Sequence, residues 1–234
     1  MKLSVIVPAF NEEKLLGETL ACILQAADPW EIIVCDNNST DRTAEIARAA
    51  GAIVVFEPVN QIARARNAGA AQASGDWLVF VDADSQPSNG LFSKVFEQIK
   101  TGKVLAGGST VSLEVEEPSI RFWIGAWNAL SRLNRWAAGS FIFCEAAAFR
   151  ELGGFDETFY AGEEIDFSRR AKRLARRKGL AMVILHAHPL KTSNRKMHLY
   201  SMRELLLFSL RVIASGGKAL RRKDDCYAGY DGRR

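Results

Sequence analysis

DWLVFVDAD, residues 76–84, is the stretch on which the fold turns. Trp77 to Val81 are apolar without interruption, and the run ends on Asp82-Ala83-Asp84. A strand with one face in water alternates apolar and polar residues. This one does not, so it reads as a central strand of a sheet covered on both sides. Working back toward the N-terminus, IARARNAGAAQAS (62–74) reads as an Ala-rich helix stopped by Gly75, and AIVVFE (52–57) as another strand. EIIVCD (31–36) and SVIVP (4–8) are two more β-branched runs. Leu16, Leu20, Ile23, Leu24 and Ala27 recur at helical spacing between those two runs. NNSTDRT supplies turn and N-cap residues before a helix around 41–50. Strands alternating with helices over short connections predict an α/β fold with a mostly parallel sheet flanked by helices.

Beyond about residue 105 the pattern changes. GGSTVSLEVEE (107–117) reads as an exposed strand, and 119–136 as an amphipathic helix carrying three tryptophans. A strand over 139–146, a short helix ending at Gly153-Gly154, a charged helix near 163–178, a strand near 180–186 and a helix near 198–214 follow. The expected organisation is one domain over 1–215, whose second half (106–215) completes the sheet begun by the first (1–105) and builds an acceptor side. Residues 216–234 lack a periodic apolar face and read as a basic, flexible tail.

The 234 residues are 48% hydrophobic and 25% charged, an ordinary globular balance that excludes collagen-like and disordered classes. Cys22, Cys35, Cys144 and Cys226 are scattered, so neither a disulfide framework nor a zinc ribbon is expected. The N-terminus lacks the apolar length of a secretory signal, and no stretch approaches the roughly 20 apolar residues of a membrane span. A cytoplasmic protein is the expectation. Its net charge of +4 hides an asymmetry. Residues 1–163 carry 13 Lys+Arg against 21 Asp+Glu, whereas 164–234 carry 18 against 6. A basic C-terminal third suits an anionic partner such as a diphosphate, an acidic lipid surface or nucleic acid. The plainer reading is solvated helix faces, because Phe167, Ala171, Leu174 and Ala175 form an apolar stripe between the basic residues of 169–178.

Ligands of parallel sheets gather outside the carboxyl ends of the strands. Asp82 and Asp84 sit at such an end, where two carboxylates call for a nearby cation. A divalent metal with hard oxygen ligands answers that need; an Asp capping the next helix is the alternative. The first strand's exit (Pro8, Phe10, Glu12) and Asp36 at the second place more polar groups on the same rim. Asn38, Ser39 and Asp41 read as turn and capping residues. Neither G-x-G-x-x-G nor a P-loop is present.

SVIVPAFNEE, EIIVCDNNSTDRT, ARNAGAAQASGDWLVFVDAD, GGFDETF and GEEIDFSRRAKR occur in the order found in family 2 glycosyltransferases, which the chain resembles over roughly 3–178. The resemblance implies the GT-A type nucleotide-diphosphosugar transferase fold, with 1–105 as the nucleotide-binding half and 106–215 as the acceptor and catalytic half. It further implies nucleotide contacts from Pro8, Phe10, Glu12 and Asp36, with Arg66 and Asn67 nearby; helix packing and capping is the other reading of that pair. Asp82 and Asp84 are implied to bind the ribose and, through Mn²⁺ or Mg²⁺, the diphosphate. An acid at the start of the helix after G-G-F-D-E is implied to be the base. Here Glu164 stands where the family usually has Asp, with Glu163 and Asp166 as fallbacks. His186 and His188 match the place where some members add a metal ligand. Arg195 and Lys196 are candidates for a cationic flap over the diphosphate, with plain surface solvation as the alternative.

The implied reaction is a metal-dependent, inverting, single-addition transfer from a nucleotide-sugar donor, a UDP-sugar being favoured, to a hydroxyl acceptor (a sugar, a lipid-linked or a small molecule). The Q-x-x-R-W signature of processive synthases is absent. A sugar nucleotidyltransferase would want a basic, Gly-rich loop where PAFNEE is acidic, and a silent nucleotide-sugar-binding scaffold would fit the Asp-to-Glu departure. Nucleic acid is not expected as a partner, because no aromatic platform on a basic sheet is evident. The aromatic helix 119–136 and the segment 198–223 read as core packing first. The alternatives are an acceptor-lining or homodimer contact for the first and a peripheral membrane contact at the inner face for the second.

Overall fold

The computed structural model describes residues 1–27, 31–113, 117–193 and 218–226. The elements run β1 (Leu3–Ala9), α1 (Leu16–Ala27), β2 (Glu31–Asp36), α2 (Thr43–Ala49), β3 (Ile53–Phe56), α3 (Ile62–Gln72), β4 (Trp77–Val81), β5 (Ser85–Gln86) and α4 (Asn89–Lys100). The second half adds β6 (Val104–Ser112), α5 (Pro118–Asn134), β7 (Phe141–Glu145), α6 (Ala146–Glu151), α7 (Glu163–Arg177) and β8 (Ala181–Thr192). Among the described residues the strands form one sheet in the order β3-β2-β1-β4-β7-β6-β8-β5.

Alternation along fully apolar strands sends neighbouring side chains to opposite faces. Val5 and Val7 join Leu16, Leu20, Ile23, Phe92 and Val95 on one side, whereas Ile6 and Ile33 join Phe149, Phe155, Phe167 and Leu174 on the other. Helices α1, α2 and α4 therefore cover one face and α3, α6 and α7 the other. Helix α3 comes close to the sheet because residue 69 is glycine: a Cβ there would lie 2.6 Å from Ile6 Cγ2. That approach is what brings Arg66, one turn earlier, within reach of the strand ends.

Strands β1, β2, β3 and β4 are mutually parallel, as are β6 and β8. Antiparallel β7 lies between β4 and β6, so β6 and β8 point the same way as β4. Only β7 and two-residue β5 oppose the rest, and the mostly parallel sheet read from the sequence is present. Its reversal at β7 has a useful consequence: the start of β7 shares a rim with the end of β4, where Asp82 N donates to Ser140 O at 3.1 Å.

Two elements differ from expectation. The strand read as exposed over 107–117 is β6, which begins earlier, ends at Ser112 and is buried from Val104 through Thr110. Of the acids read into that strand, 114 and 116 lie outside the described residues, and Glu117 immediately precedes α5. Strand β8 extends past 186 to Thr192 by way of an excursion: Ser109 pairs with Leu185 and Val111 with Leu190, so residues 186–189 leave the ladder. The stretch 218–226 makes two short 3-10 turns that dock without an apolar stripe. Tyr160 N donates to Leu220 O at 2.8 Å, Arg221 stacks over Phe159, and Ala219 and Cys226 are buried. The expected helix over 198–214, Arg195, Lys196 and the end of the tail lie outside the described residues.

Candidate active site

The rim at the carboxyl ends of β1, β2, β3 and β4 is built from loops tied to one another by side-chain amides and hydroxyls. Asn11, with φ of 52°, donates its backbone N–H to Ser39 Oγ and accepts from Thr40 N through Oδ1 at 2.8 Å. Asn37 donates its backbone N–H to Ala9 O, donates Nδ2 to Glu57 O and Val59 O, and accepts from Gln61 N. Gln61 in turn donates to the carbonyls of Glu157 and Phe159. The exits of β1, β2 and β3 and the 153–159 loop are thus joined by three buried or half-buried amide side chains. Asn37 and Gln61 did not stand out in the sequence; the only local signal was an amide just past one strand and just before one helix.

Of the residues expected at the nucleotide, Pro8 is buried within β1 opposite Cys35, beyond the last β1–β4 pair at Ile6 and Phe80. Phe10 is half-buried at the exit. Glu12 is buried; its N–H donates to Thr43 Oγ1 and its carbonyl accepts from Leu15 and Leu16, which starts α1. Asp36 is buried and accepts from Ser39 N at 3.0 Å. Asp41 accepts from Thr43 and Glu13, bonds that hold its carboxyl below the ordinary range despite some burial; it stands one residue before the N-cap of α2, Arg42, and serves the turn.

Arg66 and Asn67 part company. Asn67 clamps the G-G-F-D-E loop: Oδ1 accepts from Phe155 N at 2.9 Å while Nδ2 donates to Phe155 O and Glu157 Oε1. Arg66 is 2% exposed and faces the rim. Its Nη1 donates to Glu163 Oε1 at 2.6 Å, and its Nη2 donates to Asp82 Oδ1 at 3.0 Å and Gly139 O at 2.8 Å. Among the described residues its buried Nε–H has no partner, and the Phe155 ring lies 5.3 Å from its guanidinium carbon. One side chain therefore joins Asp82 after β4, the loop before β7 and the first turn of α7.

That first turn carries Glu163, Glu164 and Asp166 after Gly162, whose φ of 78° lies in the left-handed region that favours glycine. Glu163 is spent on Arg66. Asp166 accepts from Arg170 Nε at 2.6 Å, and Arg170 also donates to the carbonyls of Leu152 and Gly154. Glu164 lies beside Gly139, its Cγ 3.6 Å from where a Cβ on that glycine would be. Burial, and then the neighbouring Glu163 charge, raise its carboxyl to about 8; Arg66 opposes the shift. Of the three acids it alone combines the rim position with a carboxyl not given to an arginine.

Asp82 and Asp84 are both half-buried at the end of β4. Backbone bonds from Ser85 N to Asp82 O and from Ser193 N to Asp84 O hold the turn against the end of β8. Among the described residues no three His, Cys, Asp or Glu side chains converge to hold a metal. His186 and His188 are exposed in the excursion of β8, and the His188 ring lies against Gly90, the second residue of α4. What the rim offers a hard cation is the aspartate pair, a set that suits an ion also ligated by phosphate and water.

A profile described as glycosyl transferase family 2 matches residues 4–152. A dolichol-phosphate mannosyltransferase of Pyrococcus furiosus is 37% identical over 119 residues, covering 47% of this chain and 33% of that protein. A 4,4'-diaponeurosporenoate glycosyltransferase of Staphylococcus aureus is 39% identical over 89 residues, covering 35% and 24%. The chain thus matches half or less of the length of these relatives. Among solved structures, a mannosyltransferase of Pyrobaculum calidifontis in complex with GDP-Man and Mn²⁺ superposes with a TM-score of 0.66 at 20% identity, over 94% of this chain and 62% of that one. Glucosyl-3-phosphoglycerate synthase of Mycobacterium tuberculosis in complex with Mn²⁺, UDP and phosphoglyceric acid gives 0.64 at 24% identity, over 92% and 76%. At such identities the two superpositions establish the GT-A fold and nothing finer.

Proposed function

Because the chain belongs to glycosyl transferase family 2, we propose that it transfers a single sugar, with inversion, from a nucleotide-sugar donor to a hydroxyl acceptor in a reaction that depends on a divalent metal. The observation that carries this reading is the Arg66 guanidinium, bonded at once to Asp82 and to Glu163. It fixes Asp82 and the acid-bearing turn of α7 within one side chain's span. An inverting transfer needs that proximity, because the group that takes the acceptor proton must face the anomeric carbon while the diphosphate leaves on the other side.

Asp84, with Asp82, would hold Mn²⁺ or Mg²⁺, which when bound neutralises the charge gathering on the departing diphosphate. The chain's own residues do the rest. The rim loops joined through Asn11, Asn37 and Gln61 form a stiff cradle for the nucleoside, with Asp36 and Phe10 at its edge. Glu164, as carboxylate, takes the proton of the acceptor hydroxyl as that oxygen bonds to the anomeric carbon and the bond from that carbon to the diphosphate oxygen breaks. Glu163 and Arg66 hold Glu164's turn in place. A UDP-sugar is the favoured donor and a GDP-sugar the second choice; the related solved structures hold UDP-GlcNAc, UDP or GDP-Man.

Thermal shift with UDP and GDP sugars, with and without Mn²⁺, tests the donor. Asp84→Ala is expected to lose the Mn²⁺-dependent part of the stabilisation. Glu164→Gln is expected to keep it while transfer falls by roughly 10²–10⁴-fold. Undiminished turnover by Glu164→Gln would remove that residue from the mechanism, and no stabilisation by any nucleotide sugar would remove the reaction.

A further inference from the structure

Helix α5 is seventeen residues long, and only Ser131 on it is buried. Asn128 fastens its inner side to β6 through both polar groups of Val111, and Ile120, Ile124 and Trp127 lean the same way, half-buried. The opposite face is apolar. Phe122, Trp123, Leu130 and Leu133 are 69%, 58%, 43% and 84% exposed, and with Ala126 and Ala129 they form one continuous stripe. Helices that put such a stripe into water are normally covered by something.

The surrounding charge indicates what covers it. Arg121 and Arg132 lie along one flank of the stripe, and Arg135, Arg169, Lys172 and Arg176 continue from its C-terminal end. Among the described residues none of the six is paired with a carboxylate. They are close enough to act on one another: the Lys172 ammonium is held below the ordinary lysine range by burial and then by Arg176, Arg135 and Arg169. Arg169 stacks over Trp136 at 5.2 Å, which adds an aromatic to the basic end.

We propose that α5 is a membrane-docking helix that lies flat on an anionic phospholipid surface, with Phe122, Trp123, Leu130 and Leu133 in the headgroup and acyl boundary and the flanking arginines on lipid phosphates. An apolar face with aromatics and a basic flank is the make-up of interfacial helices. The helix lies on the bilayer and does not span it: no described helix is long and apolar enough to cross a membrane. A second copy of the chain fits the face less well, because joining two copies there crowds two unneutralised cation clusters. The inference is independent of the transfer reaction.

Flotation of the whole chain with vesicles of phosphatidylcholine plus phosphatidylglycerol, against phosphatidylcholine alone, tests it. Binding is expected to the mixed vesicles, weakening as salt is raised. Arg121→Gln/Arg132→Gln should lower partitioning roughly thirtyfold. Phe122→Ser/Leu133→Ser should lower it on the order of a hundredfold. Urea midpoints verify that each variant is folded. Should the serine variant fail that check, the glutamine variant decides, since it alters only exposed side chains. Failure to bind mixed vesicles overturns the proposal, and so does equal binding by the glutamine variant. A dimer that the serine variant dissolves, without any vesicle binding, overturns it in favour of self-association.

Discussion

Arg66→Met is the most direct probe of the site's construction. The substitution keeps an unbranched stem in an interior position but removes three donors, from Glu163, Asp82 and the Gly139 carbonyl. Asp82 is 24% exposed and can recover water, whereas Glu163 is 5% exposed and cannot. Breaking a buried pair from one side costs about 3–5 kcal/mol, against a total stability of roughly 5–15 kcal/mol. The loss has a ceiling, because the stranded carboxyl can be held neutral instead. For an ordinary carboxyl that alternative costs about 1.4 kcal/mol per pH unit above roughly 4.3, or about 4 kcal/mol at pH 7 and about 1 kcal/mol at pH 5. Urea denaturation followed by tryptophan fluorescence should therefore show a loss of about 3–4 kcal/mol at pH 7 that shrinks to about 1–2 kcal/mol at pH 5. Adding Glu163→Gln to Arg66→Met should restore part of the loss at pH 7 and little at pH 5. A loss below about 1 kcal/mol at pH 7, or the same loss at both pH values, would refute the view that Arg66 neutralises a buried acid.

Asn67→Ala removes the clamp on Phe155 and Glu157 and leaves a backbone N–H and C=O of Phe155 without partners; a loss of about 2–3 kcal/mol in the same assay is expected, with early proteolysis near 153–157. Glu164 titrates above its ordinary value, at about 8 instead of 4.5. Between those values the native state keeps a proton that the unfolded chain has given up, so stability should fall as pH rises across that window and level off above it. Glu164→Gln should flatten that slope. The same shift requires the transfer rate to climb with pH until Glu164 is ionised, and a wild-type rate that is flat from pH 6 to pH 9 in single-turnover measurements would exclude it as the base.

The sequence carried the fold wherever a segment's own pattern was decisive. Uninterrupted runs such as Trp77–Val81 admit few structures other than a doubly covered strand, and Gly51 after α2 and the Ser88 cap of α4 mark helix ends. It misled where polarity just past a strand was counted as part of the strand: the acids at 114, 116 and 117 made β6 look exposed. The docked stretch 218–226 was equally illegible, because it is held by backbone bonds to Tyr160 and Ala161 and by one stacked arginine. In the site, the acids could be picked out singly, but nothing local pairs Arg66 with Glu163, 97 positions later. That pairing exists only after Gly69 lets α3 settle on the sheet and Gly162 turns the chain into α7.

The electrostatics of the cluster also explain why the rim is built from charge at all. Apolar residues at 66, 82 and 163 would bind the two halves together at no desolvation cost, and such replacements are often stabilising. Instead one buried guanidinium faces the carboxyls of Asp82, Glu163 and Glu164, with Asp84 two residues beyond the first. Among the described residues that one guanidinium bonds Asp82 and Glu163 and only faces Glu164, so of the three carboxyls Glu164 is the one left without an arginine bond. It holds a proton instead. For the transfer proposed above this imbalance has a use: an acid-rich rim favours the arrival of a cation, while Arg66 keeps Asp82 and Glu163 from pushing the two halves apart.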